Sequence, residues 1–177
     1  MPTSSYATVV QREPPEFLPK SILRVLVEHD VDFVLVGGLA GMAHGSSYPS
    51  FDVDIAYGRG RTNLERLASA LRELEATLRG APPDVPFELD ADTLEASAHF
   101  TFSTPFGALD ILDRPDGAPP YEQMKSAAIP TEIEGEPVLV ASLDHLIAMK
   151  ERAGRAKDKL MATEYRILSD ELRAPPD

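Results

Sequence analysis

The chain has 177 residues, a net charge of −12 and no cysteine, which suits one domain and excludes a disulfide framework or a thiolate metal site. The acidity argues against a long nucleic-acid groove, because phosphate contacts draw on Lys and Arg. The first residues lack a basic segment followed by an apolar one, and no apolar run approaches the roughly 18 residues of a membrane span, so a soluble, cytoplasmic protein with no membrane partner is expected.

Residues 1–14 are polar and unpatterned and read as a loose tail, as do 174–177; residues 15–141 form the expected core and 142–173 a C-terminal helical segment of the same domain. In chain order, Phe17, Leu18, Ile22, Leu23 and Leu26 recur at helical spacing within 15–29. The apolar run 32–36 predicts a buried strand stopped by Gly37 and Gly38, followed by one or two helical turns to 45 and a second strand over 52–57. Leu64, Leu67, Ala68, Leu71, Leu74 and Leu78 predict an amphipathic helix capped by Thr62 or Asn63. The stretch 80–95 carries Pro82, Pro83 and Pro86 and shows no helical period, so it reads as an irregular loop with a short strand at 86–89.

Residues 99–102 and 109–112 predict a hairpin turning at 105–107, 119–128 a short helix, and 130–142 a second hairpin turning at Glu134–Gly135. Ser142 is placed to cap a helix, and Gly154 is a candidate end for it, although the helix could also run on through that residue. A last helix then runs to about residue 172 with Leu160, Met161, Leu168 and Leu172 inward.

The chemistry gathers around Asp52-Val53-Asp54. Side chains alternate along a strand, so both aspartates share a face while Val53 and Ile55 turn to the core. Like charges held this close repel, and leaving both ionised requires water or a cation between them. A hard cation such as Mg²⁺ takes oxygen ligands and bridges to substrate phosphates, whereas the pair by itself reads first as solvated acids on an edge strand. Gly37 and Gly38 would let a phosphate approach the backbone at a helix start, and Asp110, framed by apolar neighbours in 107–112, supplies a third acid. Positive charge sits elsewhere: residues 1–140 hold 22 acids and 10 bases, residues 141–177 hold 7 of each, and five of those bases fall between Lys150 and Lys159. A polyanionic ligand should therefore meet the C-terminal part, unless these bases only line a solvated helix face. Among nearby residues, His44 reads mainly as a turn residue, and Tyr48 and Phe51 as loop packing or as stacking surfaces for a base.

The order "GGLAGMAHG", then "SFDVDI", then "LDIL", with "SLDHLIAMKERAGRAKD" from Ser142 to Asp158, resembles the nucleotidyltransferase superfamily of the DNA polymerase beta-type fold. The likeness is greatest to small bacterial members, including toxins of toxin–antitoxin pairs and abortive-infection proteins, and spans Asp32 to Leu172. It implies an α+β (mixed α/β) fold, a mixed β-sheet flanked by helices with the C-terminal helices packed on it. It also implies an enzyme that transfers NMP from an NTP such as ATP to an acceptor, with release of pyrophosphate. Asp52, Asp54 and Asp110 would hold two Mg²⁺ ions, or Mn²⁺ in their place, and Asp110 would also accept the proton of the attacking hydroxyl. Gly37, Gly38, Ser50, Lys150 and Arg155 would bind the nucleotide, with Lys150 also catalytic. Asp158 would orient Lys150, sharing its helix side only if Gly154 leaves the helix unbroken.

The acceptor implied is an RNA 3′ end such as that of tRNA, a protein side chain or a small molecule, and the toxin-like members add a cognate antitoxin as partner. Three positions depart from the family's pattern: Gly38 stands where Ser is frequent, Tyr48 where an Arg is frequent, and Met161 where a second acid follows "KD". These departures keep a second reading open, a nucleotide-binding module that regulates a protein partner.

Overall fold

A computed structural model describes residues 13–82 and 84–175. Most of the expected N-terminal tail, and the last two residues, lie outside the described residues.

Seven strands form one mixed sheet in the order β3-β4-β5-β2-β1-β7-β6. They are β1 (Phe33–Val36), β2 (Asp52–Tyr57), β3 (Thr77–Leu78), β4 (His99–Thr104), β5 (Gly107–Leu112), β6 (Ile129–Ile133) and β7 (Glu136–Val140). The β2–β5 and β1–β7 pairs are parallel and the other four antiparallel. The helices are α1 (Pro19–Glu28), α2 (Gly37–Ala43), α3 (Arg61–Glu73), α4 (Ala91–Ala96), α5 (Tyr121–Ala127), α6 (Leu143–Ala153) and α7 (Ala156–Arg173). This is the mixed α/β architecture that the sequence resemblance implies.

Central strand β1 is buried at every position, whereas β5 alternates between buried and half-buried residues, as its apolar–polar pattern requires. Ile22, Leu23 and Leu26 of α1 and Leu64, Leu67 and Leu71 of α3 pack into one core with Val53, Ile55, Leu109 and Ile111. Burial on that side of β2 and β5 leaves Asp52, Asp54 and Asp110 on the opposite side.

Several local expectations are corrected. Helix α3 starts at Arg61 with Gly60 as its N-cap, and neither Thr62 nor Asn63 caps it. Asn63 is instead buried in the first turn, where its amide accepts from Asp32 N–H at 2.6 Å and donates to the carbonyls of Asp32 and Gly58. That side chain joins the start of β1 to the end of β2. Leu78 lies in β3 rather than in α3, because the chain leaves the helix through Glu75 at φ +51.

No strand forms at 86–89. Phe87 packs there against Phe100 and Phe102 at ring separations of 6.0 and 6.1 Å. The next residues form α4, capped by Asp90, whose carboxylate accepts from Thr93 N–H at 2.8 Å. With only Ala91 and Leu94 buried, so short a helix leaves too few apolar positions to establish a period.

Both hairpins and the Ser142 cap form where expected. Gly154, at φ +69, does end α6, so α6 and α7 are separate helices. In α7 the inward residues are Asp158, Met161, Ala162, Tyr165 and Ser169, with Leu168 partly buried, while Leu160 and Leu172 are 60% and 70% exposed. The helix phase follows Tyr165, which packs against Gly41 of α2 so closely that a Cβ on Gly41 would stand 2.1 Å from the tyrosine oxygen.

Candidate active site

Strand β1 ends at Val36, which pairs with Asp54 of β2, so the backbone of Gly37 meets the Asp54 side chain as the chain turns into α2. Gly37 has φ +70, and a Cβ there would stand 2.1 Å from Asp54 Oδ2, so both backbone and space demand glycine. Gly38 faces Ser50, whose hydroxyl donates to the Asp52 carbonyl at 3.2 Å and lies 3.3 Å from Asp52 Oδ1. The residues before Ser50 are tied to α7: Glu164 accepts from Ser46 Oγ, Ser47 N–H and Ser47 Oγ at 2.7–2.8 Å. The Ser47 N–H bond is the chief reason the Glu164 carboxyl is held below its ordinary range.

The parallel pairing of β2 with β5 sets Asp54 beside Asp110 and Asp52 beside Ala108. One carboxylate oxygen from each of Asp52, Asp54 and Asp110 lies within 4.8 Å of the other two. Burial, then the charges of Asp52 and Asp110, push the Asp54 carboxyl up to about 7, while Lys150 and Arg79 pull it the other way. The trio resists full ionisation unless positive charge enters. Three half-buried carboxylates with oxygen donors alone are the donor set a hard divalent cation takes, so the residues fit Mg²⁺ or Mn²⁺.

Across the cleft, Asp158 is almost fully buried and bridges two cations: Lys150 Nζ lies 3.3 Å from Oδ1 and Arg155 Nε 2.7 Å from Oδ2. Burial raises the Asp158 carboxyl, but the bonds from Arg155 and Lys150 outweigh it and hold the group below its ordinary value. The Lys150–Asp158 pair therefore forms across the Gly154 break, and the expected condition of one continuous helix is not needed. The tight αL turn brings the start of α7 beside the end of α6.

Gly37, Gly38, Ser50, Asp52, Asp54, Asp110, Lys150, Arg155 and Asp158 all line one cleft of about 1060 Å³. Phe51 stands at the cleft and is 74% exposed. His44 and Tyr48 do not line it; His44 Nε2 donates to the Ala141 carbonyl at 2.8 Å, and Tyr48 packs on the core. Two residues without any local signal in the chain shape the site, Glu164 and Arg79. Arg79 follows β3 and donates from Nη2 to Asp110 Oδ1 and to the Phe102 carbonyl. A lone Glu in an amphipathic helix and a lone Arg before a glycine carry no local signal.

The fold that carries these residues is shared with solved proteins. The lincosamide antibiotic adenylyltransferase LnuA superposes with a TM-score of 0.59 over 86% of this chain and 99% of its own, at 13% identity. The fold is that of the nucleotidyltransferases. The antibiotic-resistance factor ANT(2″)-Ia matches with a TM-score of 0.55, 16% identity and coverage of 87% and 82%. An antigenic nucleotidyltransferase-like protein from Paracoccidioides brasiliensis matches at 0.52, 16% identity and 88% and 75% coverage. No family model and no curated protein sequence matches the chain. In this chain Asp52, Asp54 and Asp110 lie on β2 and β5, while Lys150 lies on α6 and Arg155 and Asp158 at the start of α7, and all of them line the one cleft. Among the described residues no helix is long and apolar enough to cross a membrane.

Proposed function

We propose that the protein is a metal-dependent nucleotidyltransferase that moves a nucleoside monophosphate from an NTP to an acceptor hydroxyl or phosphate and releases pyrophosphate. The observation that supports this reading most is the meeting of three carboxylates beside the Gly37 corner, opposite the Lys150–Asp158–Arg155 group.

Asp52, Asp54 and Asp110 would hold divalent ions, Mg²⁺ by preference. When bound, such ions stabilise charge on the leaving pyrophosphate and make a hydroxyl nucleophile more acidic. The chain's own residues then position and neutralise. Gly37 and Gly38 open α2 at the cleft, where the first N–H groups of the helix have no acceptor within it and would be the ones to meet a phosphate. Lys150 and Arg155 supply positive charge to the triphosphate, and Asp158 fixes where that charge sits. Ser50 orients Asp52. Asp110, whose Oδ1 accepts from Arg79, would also take the proton of the acceptor hydroxyl.

For the acceptor, an RNA 3′ end, a protein side chain and a small molecule remain in the proposal, the last favoured by a fold shared with two proteins named for antibiotics or resistance to them. The likeness to toxin members extends the proposal to a cognate antitoxin, which growth on expression with and without the neighbouring gene tests. The activity is tested by incubating the protein with each labelled NTP, Mg²⁺ and a cell extract. Label should pass to one acceptor with release of pyrophosphate, and chelator or Asp54→Ala should abolish it while the fold persists. Transfer by Asp54→Ala at the wild-type rate would reject the assignment.

A further inference from the structure

Arg79 contacts the site without lining the cleft. Its backbone N–H donates to the Thr101 carbonyl at 2.9 Å, anchoring the residue at the end of the sheet. Its guanidinium then reaches across β4 to two acceptors, the Phe102 carbonyl at 2.9 Å and Asp110 Oδ1 at 2.5 Å. The ion pair is partly shielded, with the two side chains 38% and 18% exposed. Of the cations lining the cleft, Lys150 and Arg155 are both paired with Asp158, whereas Arg79 is ion-paired to a member of the trio itself. Asp110 therefore has a positive partner of its own that does not itself line the cleft.

We propose that Arg79 is the internal counter-cation of the carboxylate trio: it positions Asp110 through one oxygen and, by its charge, weakens the binding of a divalent ion in the absence of nucleotide. This rests on the reading of the trio as a metal site. Two cations share the attraction of three acids, and a guanidinium on one of those acids repels a doubly charged ion held by the same group. An incoming triphosphate adds several negative charges and offsets that repulsion. Ion and nucleotide are thereby made to load together, and Arg79 acts as a positioning residue whose effect on affinity has the opposite sign to that of a ligand-supporting group.

The test is calorimetric titration of nucleotide-free protein with Mn²⁺, comparing the wild type with Arg79→Gln, Arg79→Met and Arg79→Lys. The neutral variants should bind Mn²⁺ more tightly, by on the order of fivefold to tenfold, as expected for removing one charge a few ångströms from the ion in a partly hydrated site. Arg79→Lys keeps the charge but not the guanidinium that serves two acceptors, and should bind Mn²⁺ less tightly than either neutral variant. A residue with a merely structural role would weaken binding when removed, so equal or weaker binding by both neutral variants overturns the proposal. If neither folds in chelator, recovery of folded protein by millimolar Mn²⁺ supports it and failure to recover overturns it. Absence of Mn²⁺ binding by the wild type and every variant, with or without a non-hydrolysable ATP analogue, would instead sink the metal-site reading. Mn²⁺ binding by the wild type that the neutral variants do not exceed sinks only the role of Arg79.

Discussion

Asp54→Asn should stabilise the metal-free protein at alkaline pH while destroying its activity. Burial and the charges of Asp52 and Asp110 raise the Asp54 carboxyl from 3.8 to about 7, so the folded protein binds this proton more tightly than the unfolded chain does. The stabilisation from proton binding is complete below about pH 4 and disappears as the pH rises through 7. A shift of about three pH units corresponds to roughly 4 kcal/mol, of which about 2–3 kcal/mol accrues between pH 5 and pH 8. Asparagine is neutral throughout and nearly isosteric, so the variant avoids this loss. Urea unfolding with chelator should show the stability of Asp54→Asn minus that of the wild type growing by about 2–3 kcal/mol from pH 5 to pH 8. Adding Mg²⁺ at pH 8 should stabilise the wild type more than the variant, narrowing the gap. A difference that does not change with pH, or a variant less stable than the wild type at pH 8, would refute the electrostatic account of the trio.

Gly37→Ala should destabilise the protein by about 1–3 kcal/mol, from the positive φ and the collision with Asp54, and reduce transfer at least about a hundredfold by displacing that carboxylate; thermal unfolding and initial rates measure the two effects. Asp158→Asn should raise the KM for nucleotide about tenfold with a smaller change in kcat, since Lys150 and Arg155 lose the buried charge that holds them, and steady-state kinetics at varied NTP shows the split. Glu164→Gln should cost about 1–2 kcal/mol through weakened bonds to Ser46 and Ser47, and it should raise KM because the segment leading to Ser50 loses its tie to α7; urea unfolding and the same kinetics check both.

Local patterns in the chain were enough to place the glycine corner, the Asp52–Asp54 face, the two hairpins and the Ser142 and Gly154 ends of α6. Each depends on neighbours within a few residues: alternation along a strand, a hydroxyl three residues before an N–H, a left-handed turn only glycine takes easily. Asn63 escaped this reasoning because its amide is spent on Asp32 and Gly58 rather than on a helix end. Leu160 and Leu172 escaped it because the phase of α7 is set by the fit of Tyr165 against Gly41, a contact between distant segments.

The same division runs through the site. Asp110 was legible as a third acid, but its distance from Asp54 follows from β5 lying parallel beside β2, a pairing that neither strand encodes alone. The hold of Arg79 on Asp110 and of Glu164 on the Ser46–Ser47 segment spans 31 and more than 100 residues of chain. Chemical capacity resides in residue types and short spacings; which charges meet, and how strongly they perturb one another, depends on long-range packing that brings them within a few ångströms and removes water from between them.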